Sequence, residues 1–288
     1  MTGSLPGVDP RHALLARCTF PSGPLTCAVS GGADSLALLA LAAAVADGVT
    51  AVHVDHGLRA GSDAEADVVR TAADRFGAAF RAERIEIEPG PNLEARARRA
   101  RFAVLPEGVL TGHTLDDQAE TVLLNLLRGS GLDGLAGMRP GTHPLLALRR
   151  SETRRLCEDL GLRPVVDATN DDPAHWRNRV RHEVLPLLDE VAGRDVALVL
   201  ARQAATARTE ADFLDALATV DPHDAKAIAG APAVLARRSL RRWLADPYPP
   251  DAAAIERVLA VARGVAVGCE VDGGRRVRRS GQRLRVEK

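Results

Sequence analysis

The segment SGGADS at residues 30–35 combines glycines, hydroxyls and a carboxylate between an apolar run and a helical pattern. Glycines here allow a sharp turn that directs backbone N–H groups toward an anion, and the N-terminus of the following helix adds partial positive charge. The carboxylate of Asp34 would repel phosphate unless a divalent cation lay between them. We therefore predict that the segment binds a polyphosphate with Mg²⁺, and that Asp34 contacts the metal. The predicted contact residues are Ser30, Gly31, Gly32, Ala33, Asp34 and Ser35.

A second group of ionisable residues lies in GHTLDDQAET, at residues 112–121. His113 closes a predicted strand, and three acids follow within about the first turn of a predicted helix. These acids are Asp116, Asp117 and Glu120. Acids in a first turn can simply complement the helix dipole, which accounts for one or two of them. Three acids at the carboxyl end of a strand would also suit a cationic co-substrate.

Arginines are dense in residues 96–101, 177–181 and 275–285, although Lys plus Arg and Asp plus Glu are equal at 38 each. Such clusters can bind phosphate even on a neutral protein, and solvated helix faces are the alternative. Arg177 and Arg181 lie one helical turn apart. Pairing of these arginines with Asp171, Asp172 or Glu183 is a further alternative.

Arg128 begins the segment RGSGLDGLAGM at residues 128–138. Its many glycines oppose a stable helix, so we predict a loop near the ligand crevice.

Between residues 25 and 170, short apolar or β-branched runs alternate with longer helical patterns, which is typical of βαβ units. The predicted strands are 25–30, 49–56, 80–87, 108–113 and 164–169. The predicted helices are 34–46, 62–76, 92–105, 115–128 and 151–160. The fold class is therefore α/β, with a doubly wound, mainly parallel, five-stranded Rossmann-like sheet.

Beyond residue 172 the pattern becomes helical as far as about residue 262, and residues 265–288 alternate as a short β-meander. A chain of 288 residues, 46% of them apolar, is long enough for two domains. We expect a catalytic α/β domain at 1–190 and a mostly helical domain with a β tail at 191–288.

The composition bears on disulfides, zinc binding and cellular location. The four cysteines form no C-x-x-C pair, which indicates neither a disulfide framework nor a zinc site. No apolar run is long enough to span a membrane, and the N-terminus lacks the features of a secretion signal, so we expect a soluble cytoplasmic protein. The oligomeric state is left open, with a homodimer as one option.

The 30–35 segment contains neither G-x-x-x-x-G-K-[ST] nor G-x-G-x-x-G. It resembles the S-G-G-x-D-S motif of the PP-loop ATP pyrophosphatases. Three further stretches extend the resemblance over most of residues 25–190, to the tRNA(Ile)-lysidine synthetase family. They are HVDHGLR at 53–59, residues 112–138 and residues 167–188.

The resemblance implies an enzyme that uses ATP and Mg²⁺ to activate carbon 2 of the wobble cytidine in the CAU anticodon of tRNA(Ile). Free L-lysine then displaces AMP. It further implies that the strand end near His53 flanks adenine, and that Asp117 and Glu120 hold the lysine, with His113 as a partner. By the same resemblance, Arg177, Asn178 and Arg181 contact ATP phosphate or tRNA backbone.

The sequence leaves open an alternative role for the His53 segment and two alternative functions, and it departs from the family pattern at two points. A metal site at His53, Asp55 and His56 is disfavoured, because strand alternation places His56 on the opposite face. The element R-P-L-L of many relatives is replaced by HPLL, with His143 in place of arginine, so that a phosphate or tRNA contact is either missing or supplied by Arg149 or Arg150. The chain is shorter than the longer family members, which leaves tRNA recognition to residues 190–288.

The rival functions are another PP-loop tRNA-modifying enzyme, such as a thiolase, and a non-catalytic ATP-binding module.

Overall fold

The computed structural model describes residues 9–55, 62–85, 96, 100, 103–165, 175–246 and 249–287. The chain divides into two compact units, Met1–Ala205 and Thr206–Lys288. The functional division expected between residues 190 and 191 stays a prediction.

A parallel sheet forms the centre of the first unit. Its strands are β1 (Leu25–Ala28), β2 (Val49–Asp55) and β3 (Ala79–Arg84), in the order β1-β2-β3. Cys27 pairs with Ala51, and Ala51 with Phe80, so the buried positions of neighbouring strands align. The predicted α/β class with a parallel sheet is confirmed.

The sheet differs from the predicted five strands. The fourth predicted strand, 108–113, is reduced to a parallel bridge between Leu110 and Cys27, in which the Leu110 carbonyl accepts from the Ala28 amide at 2.8 Å. Gly108 at φ 75° and the turn before it limit regular pairing to this one position. Most of the fifth, 164–169, lies outside the described residues, although the Val165 amide donates to the Gly31 carbonyl at 3.0 Å.

The described helices of the first unit follow the predicted pattern closely. They are α1 (His12–Leu15), α2 (Ala33–Ala42), α3 (Ser62–Arg75), α4 (Leu115–Leu127), α5 (Leu132–Leu135), α6 (Arg150–Asp159), α7 (Trp176–Arg179), a π-helical turn (Val180–Val184) and α8 (Leu185–Ala192). The predicted helix 92–105 falls largely outside the described residues. The loop predicted at 128–138 is wrong in part, because α5 forms inside it, with hydrogen bonds from the Leu135 and Ala136 amides back to Gly131 and Leu132.

Helix α2 lies in the core, and its apolar side chains from Leu36 to Ala42 are fully buried. Alanine and leucine alone line this stretch, so the helix can be apolar on every side. Leu156 and Cys157 of α6 belong to the same buried cluster. This packing places the N-terminus of α6 beside the N-terminus of α2.

The second unit contains helices and a small antiparallel sheet. The remaining elements of the chain are α9 (Val196–Leu217), α10 (Ala225–Gly230), α11 (Ala233–Leu244), α12 (Ala252–Ala262), β4 (Gly268–Val271), β5 (Arg275–Ser280) and β6 (Arg283–Glu287). Val277 and Leu284 of the sheet are buried with Leu240 and Leu259 of the helices. The predicted helical region and β-meander are confirmed.

No helix among the described residues is both long enough and apolar enough to cross a membrane.

Candidate functional site

The turn between β1 and α2 has the geometry of an anion cradle. Gly31 adopts φ 89°, a left-handed conformation that glycine reaches without strain, and Gly32 is the N-cap of α2 with no side-chain hydrogen bond to the first turn. The Ser30 amide donates to Ser35 Oγ at 3.2 Å, and Ser35 Oγ donates to the Gly32 carbonyl at 2.8 Å. The turn is therefore fixed by its own serines, and the first-turn amides of α2 have no side-chain cap.

Gly112 closes the other side of this turn. A Cβ atom on Gly112 would lie 2.5 Å from the Asp34 carbonyl oxygen and 2.8 Å from its carbonyl carbon. The chain leaving the Leu110 bridge therefore packs directly on the backbone of the α2 N-terminus. No larger residue fits there without displacing that backbone.

Asp34 lies in the first turn of α2 and is held by α6. Its carboxylate accepts from Arg150 Nε at 3.4 Å and from the Thr153 hydroxyl. Burial raises the pKa of Asp34 and outweighs the opposing hydrogen bond from Thr153. Packing of α6 against α2 brings these two partners onto Asp34.

Asp117 caps α4 and also contacts two arginines. One carboxylate oxygen accepts from the Thr114 amide and hydroxyl, both at 2.8 Å. The other accepts from Arg150 Nη2 at 2.7 Å and Arg177 Nη2 at 3.2 Å. Burial alone would raise the pKa of Asp117, but the charges of Arg150 and Arg177 lower it to about 2. Asp117 is therefore an ionised, buried anion.

Glu120 is fully buried and lies among three guanidinium groups. Its oxygens accept from Arg177 Nε and Arg181 Nε, each at 2.7 Å, and from Arg150 at 3.3 Å. Arg181 also donates through Nη2 at 3.2 Å, which makes its contact bidentate. The helical spacing of Arg177 and Arg181 thus brings both to one carboxylate, and their partners here are Asp117 and Glu120.

The other predicted site residues near this cluster differ in their burial and in their partners. Asp116 pairs with Arg149 at 2.8 Å and accepts from the Arg150 amide at 2.7 Å, which fixes the start of α6. Asn178 is buried, whereas Arg128 is exposed. Arg179 pairs with Glu183 along its own helix at 2.9 Å, one of the pairings considered from the sequence.

The two predicted histidines differ in their surroundings. His53 is 2% exposed, and its Nδ1 lies 2.9 Å from the Val29 carbonyl oxygen, so its side chain belongs to the core of the sheet. His113 is half-buried, lies 2.7 Å from Thr111 Oγ1 and has its ring 5.0 Å from that of His143. His56 lies outside the described residues.

A cavity of about 760 Å³ joins these parts of the first unit. Its walls include Asp34, Ser35, His113, Asp117 and Arg150. Its volume suits a nucleotide-sized ligand. The anion cradle and the buried Asp117 therefore border one space.

The side chains of this cavity fit a Mg²⁺ ion that is bound partly by the protein and partly by a phosphate ligand. No group of three or more His, Cys, Asp or Glu side chains able to hold a metal occurs in the described part of the chain. Mg²⁺ in phosphate sites is commonly bound through one or two carboxylates, with the remaining positions filled by phosphate oxygens and water. The carboxylate of Asp34, beside the cradle, meets that requirement.

From the sequence, Arg150 is one of two alternatives for a single contact, and nothing indicates a role for Thr153. Arg150 contacts Asp34 across 116 positions and Asp117 across 33. Its one local signal is the departure at His143, which suggested that a neighbouring arginine supplies a missing contact. Thr153 carries no such signal, because a threonine within a helix is unremarkable.

The class of protein follows from a parallel sheet with a glycine turn, of anion-cradle geometry, between its first strand and the next helix. Residues 12–188 match the family model of the PP-loop domain, which is an ATP-using domain. The fold is also similar to that of the U34-tRNA thiolase NcsA from Methanococcus maripaludis, with a TM-score of 0.53 over 68% of this chain and 77% of that one. At 16% identity, this likeness concerns the fold alone.

Similar proteins identify the family within the PP-loop class. The chain is 45% identical to the tRNA(Ile)-lysidine synthase of Nocardia farcinica, with 87% of each chain covered. It is 45% identical to that of Rhodococcus erythropolis, covering 78% of this chain and 74% of the relative. It is 40% identical to that of Mycobacterium bovis, with 86% of each covered. The chain belongs to the tRNA(Ile)-lysidine synthase family.

Proposed function

We propose that this protein attaches L-lysine to carbon 2 of the wobble cytidine of tRNA(Ile) with a CAU anticodon, consuming ATP and releasing AMP and pyrophosphate. The observation that carries the proposal is a single cavity bordered by both the glycine cradle and the ionised Asp117. A polyphosphate and a cationic co-substrate would then meet in one space. Family membership supports the same activity.

The nucleotide would bind at the β1–α2 turn. The uncapped N-terminus of α2 offers amide donors and partial positive charge to the phosphates. The cavity wall also includes Val52 and Val54 at the end of β2, where adenine would lie. His53 contributes its backbone there, because its imidazole is directed to Val29. Mg²⁺ held by Asp34 would neutralise charge on the phosphates.

Lysine would bind at the acid cluster. Asp117 on the cavity wall attracts the ammonium group, and Glu120 lies directly behind it. In the first step, the cytosine O2 oxygen attacks the α-phosphorus of ATP and pyrophosphate leaves. In the second, the lysine amine attacks carbon 2 and AMP leaves with the C–O bonding electrons. His113 or a neighbouring carboxylate accepts the proton that the amine loses.

Residues 1–190 would then serve as the PP-loop ATP-binding catalytic domain and 191–288 as the tRNA-binding domain. The small sheet of the second unit supports the latter role. Its inward positions are Val277 and Leu284, whereas Arg278 and Arg285 lie directly opposite each other on the exposed face. Like charges facing each other destabilise a sheet. Glu287, at 3.6 Å from Arg278, offsets part of that charge, and a bound polyanion would relieve the repulsion that remains. We propose four substrate contacts in the first unit, which are Arg128, Arg177, Asn178 and Arg181.

A cytoplasmic location and a homodimer belong to the same proposal.

The rival thiolase chemistry needs reactive cysteines. Burial raises the pKa of Cys27 and of Cys157 to about 12, which strongly disfavours their thiolates. The sulfur of Cys157 instead donates to the Ala33 carbonyl at 3.4 Å. These two cysteines therefore serve the packing of α2.

The test is incorporation of labelled L-lysine into tRNA(Ile) bearing CAU by the pure protein with ATP and Mg²⁺. Elongator methionine tRNA, which has the same anticodon, is the specificity control. We expect label in the isoleucine tRNA, dependent on ATP, with AMP and pyrophosphate formed in equal amounts. Absence of label, or preferential labelling of the methionine tRNA, would refute the assigned reaction.

A further inference from the structure

The buried ionic cluster is electrically balanced. It contains three carboxylates, Asp34, Asp117 and Glu120, and three guanidinium groups, Arg150, Arg177 and Arg181. Each carboxylate already accepts hydrogen bonds from at least one of these arginines. An ammonium group entering the cluster would be a fourth cation against three anions. Because buried unpaired charge is costly, its binding requires that one arginine give up its partners.

Arg150 is the arginine placed to do so. Of the three arginines, Arg150 is the one that contacts all three acids in the described part of the chain, at 3.4 Å to Asp34, 2.7 Å to Asp117 and 3.3 Å to Glu120. Arg150 and Arg181 both lie on the cavity wall. Arg177 and Arg181, however, are held to Glu120 by shorter bonds of 2.7 Å, against 3.3 Å for Arg150. Arg150 is therefore the least tightly held on Glu120 and the one bonded to the cradle.

Nucleotide binding would alter the partners of Arg150. A metal at Asp34 competes for the carboxylate that Arg150 Nε now contacts, and the phosphates next to that carboxylate offer new acceptors. Guanidinium groups bind phosphate readily and in bidentate fashion. Movement of Arg150 toward the phosphates would remove one cationic partner from Asp117, which already lines the cavity, and from Glu120.

We propose that Arg150 couples the two substrate sites: its guanidinium occupies the lysine subsite until nucleotide draws it to the phosphates, so that ATP binding opens that subsite. This inference rests on the proposed function. It makes Arg150 a positioning residue and predicts that nucleotide and lysine bind with positive cooperativity. By reciprocity, lysine raises the affinity for nucleotide by the same factor.

The test measures L-lysine affinity by isothermal titration calorimetry, with and without saturating α,β-methylene-ATP and Mg²⁺, in the absence of tRNA. For the wild type we expect lysine to bind at least about 10-fold more tightly with the analogue, within the usual range of such couplings. Equal affinity in the two conditions overturns the coupling, and this result needs no variant.

Arg150→Gln identifies the residue responsible. The variant should bind lysine without nucleotide more tightly than the wild type does, and should lose most of the dependence on the analogue. Arg150→Lys, which keeps a movable cation, should retain part of it. Arg155→Gln is the matched control on the same helix, because its partner is the exposed Asp159. Wild-type coupling in Arg150→Gln overturns the role of Arg150.

The two proposals fail differently. Absence of label in the tRNA assay contradicts the proposed function. Normal labelling combined with nucleotide-independent lysine binding contradicts only the coupling. Thermal unfolding of each variant, followed by circular dichroism, confirms that the protein being titrated is folded. If Arg150→Gln does not fold, the wild-type and Arg150→Lys titrations decide the matter.

Discussion

Gly112 packs so closely on Asp34 that a Cβ atom at Gly112 would lie 2.5 Å from the Asp34 carbonyl oxygen. The segment that carries His113 and the glycine turn between β1 and α2 are therefore fixed against each other through backbone, without side chains between them. A backbone contact cannot yield as the end of a long side chain can, so this position offers a direct probe of the cradle.

Gly112→Ala should weaken nucleotide binding by at least about 10-fold, because the added methyl must displace the first turn of α2. Overpacking of this kind costs about 1–3 kcal/mol of stability. Gly141→Ala is the control, since a Cβ there meets nothing within 4 Å. Calorimetric titration with α,β-methylene-ATP and urea unfolding measure the two effects. Equal affinity in both variants would contradict the close packing.

How far the sequence predicts this site depends on the range of the interactions. The cradle is local: the strand, the glycines and the helix follow one another within 25–42, and the turn could be predicted from those residues alone. The spacing of Arg177 and Arg181 likewise predicts that they act together. Their partner Glu120 lies 57 and 61 positions away, and no local pattern fixes that pairing.

In the fold, too, local elements could be predicted from the sequence, whereas long-range pairing could not. The strands β1, β2 and β3 were predicted within a few residues, because their β-branched and apolar runs are strong local signals. The run 108–113 has a similar composition, yet it pairs at Leu110 alone. Regular pairing there depends on how the chain leaves Gly108 and packs on Asp34, which is tertiary information.

Asp34→Asn should abolish lysine transfer and leave the fold intact. The amide keeps the size of the side chain but loses the negative charge expected to bind Mg²⁺. Arg150 keeps Asp117 and Glu120 as partners, so we expect the melting temperature to change by only a few degrees. Labelled-lysine incorporation over a Mg²⁺ titration checks the first effect. Asp159→Asn, on the exposed side of α6, should retain wild-type transfer.

Glu120→Ala should be strongly destabilising. The substitution removes the central acceptor of three arginines and leaves their charges partly buried, at 15–29% side-chain exposure. Breaking a buried ionic group in this way costs about 3–5 kcal/mol, and the residual exposure favours the lower end. Urea unfolding gives the free energy directly. Glu183→Ala, which removes the exposed partner of Arg179, should leave the unfolding curve unchanged.

The contribution of Asp117 should depend on pH. Its pKa is about 2 in the folded protein against an ordinary 3.8, so its ionisation stabilises the fold fully above about pH 4 and this contribution is lost as pH falls toward about 2. The difference corresponds to on the order of 2 kcal/mol. The gap in unfolding free energy between the wild type and Asp117→Asn should therefore be widest near neutral pH and should narrow below about pH 4. A gap that widens on acidification would contradict the assigned ion pairs.

The opposed arginines of the second unit should contribute to tRNA affinity. Arg278 and Arg285 face each other across β5 and β6 on the exposed side of the sheet, and Glu287 offsets only part of their charge. Phosphate between the two arginines would therefore be attracted to both. Replacing both with alanine should weaken tRNA binding by about 10-fold and reduce the slope of log affinity against log salt by about 1–2, since each phosphate contact releases counterions. Arg237→Ala is the control, because Arg237 pairs with the exposed Glu256 on neighbouring helices. Filter binding over a salt series separates the two variants. If the double variant kept both wild-type affinity and wild-type slope, this face of the sheet would have no part in holding the tRNA.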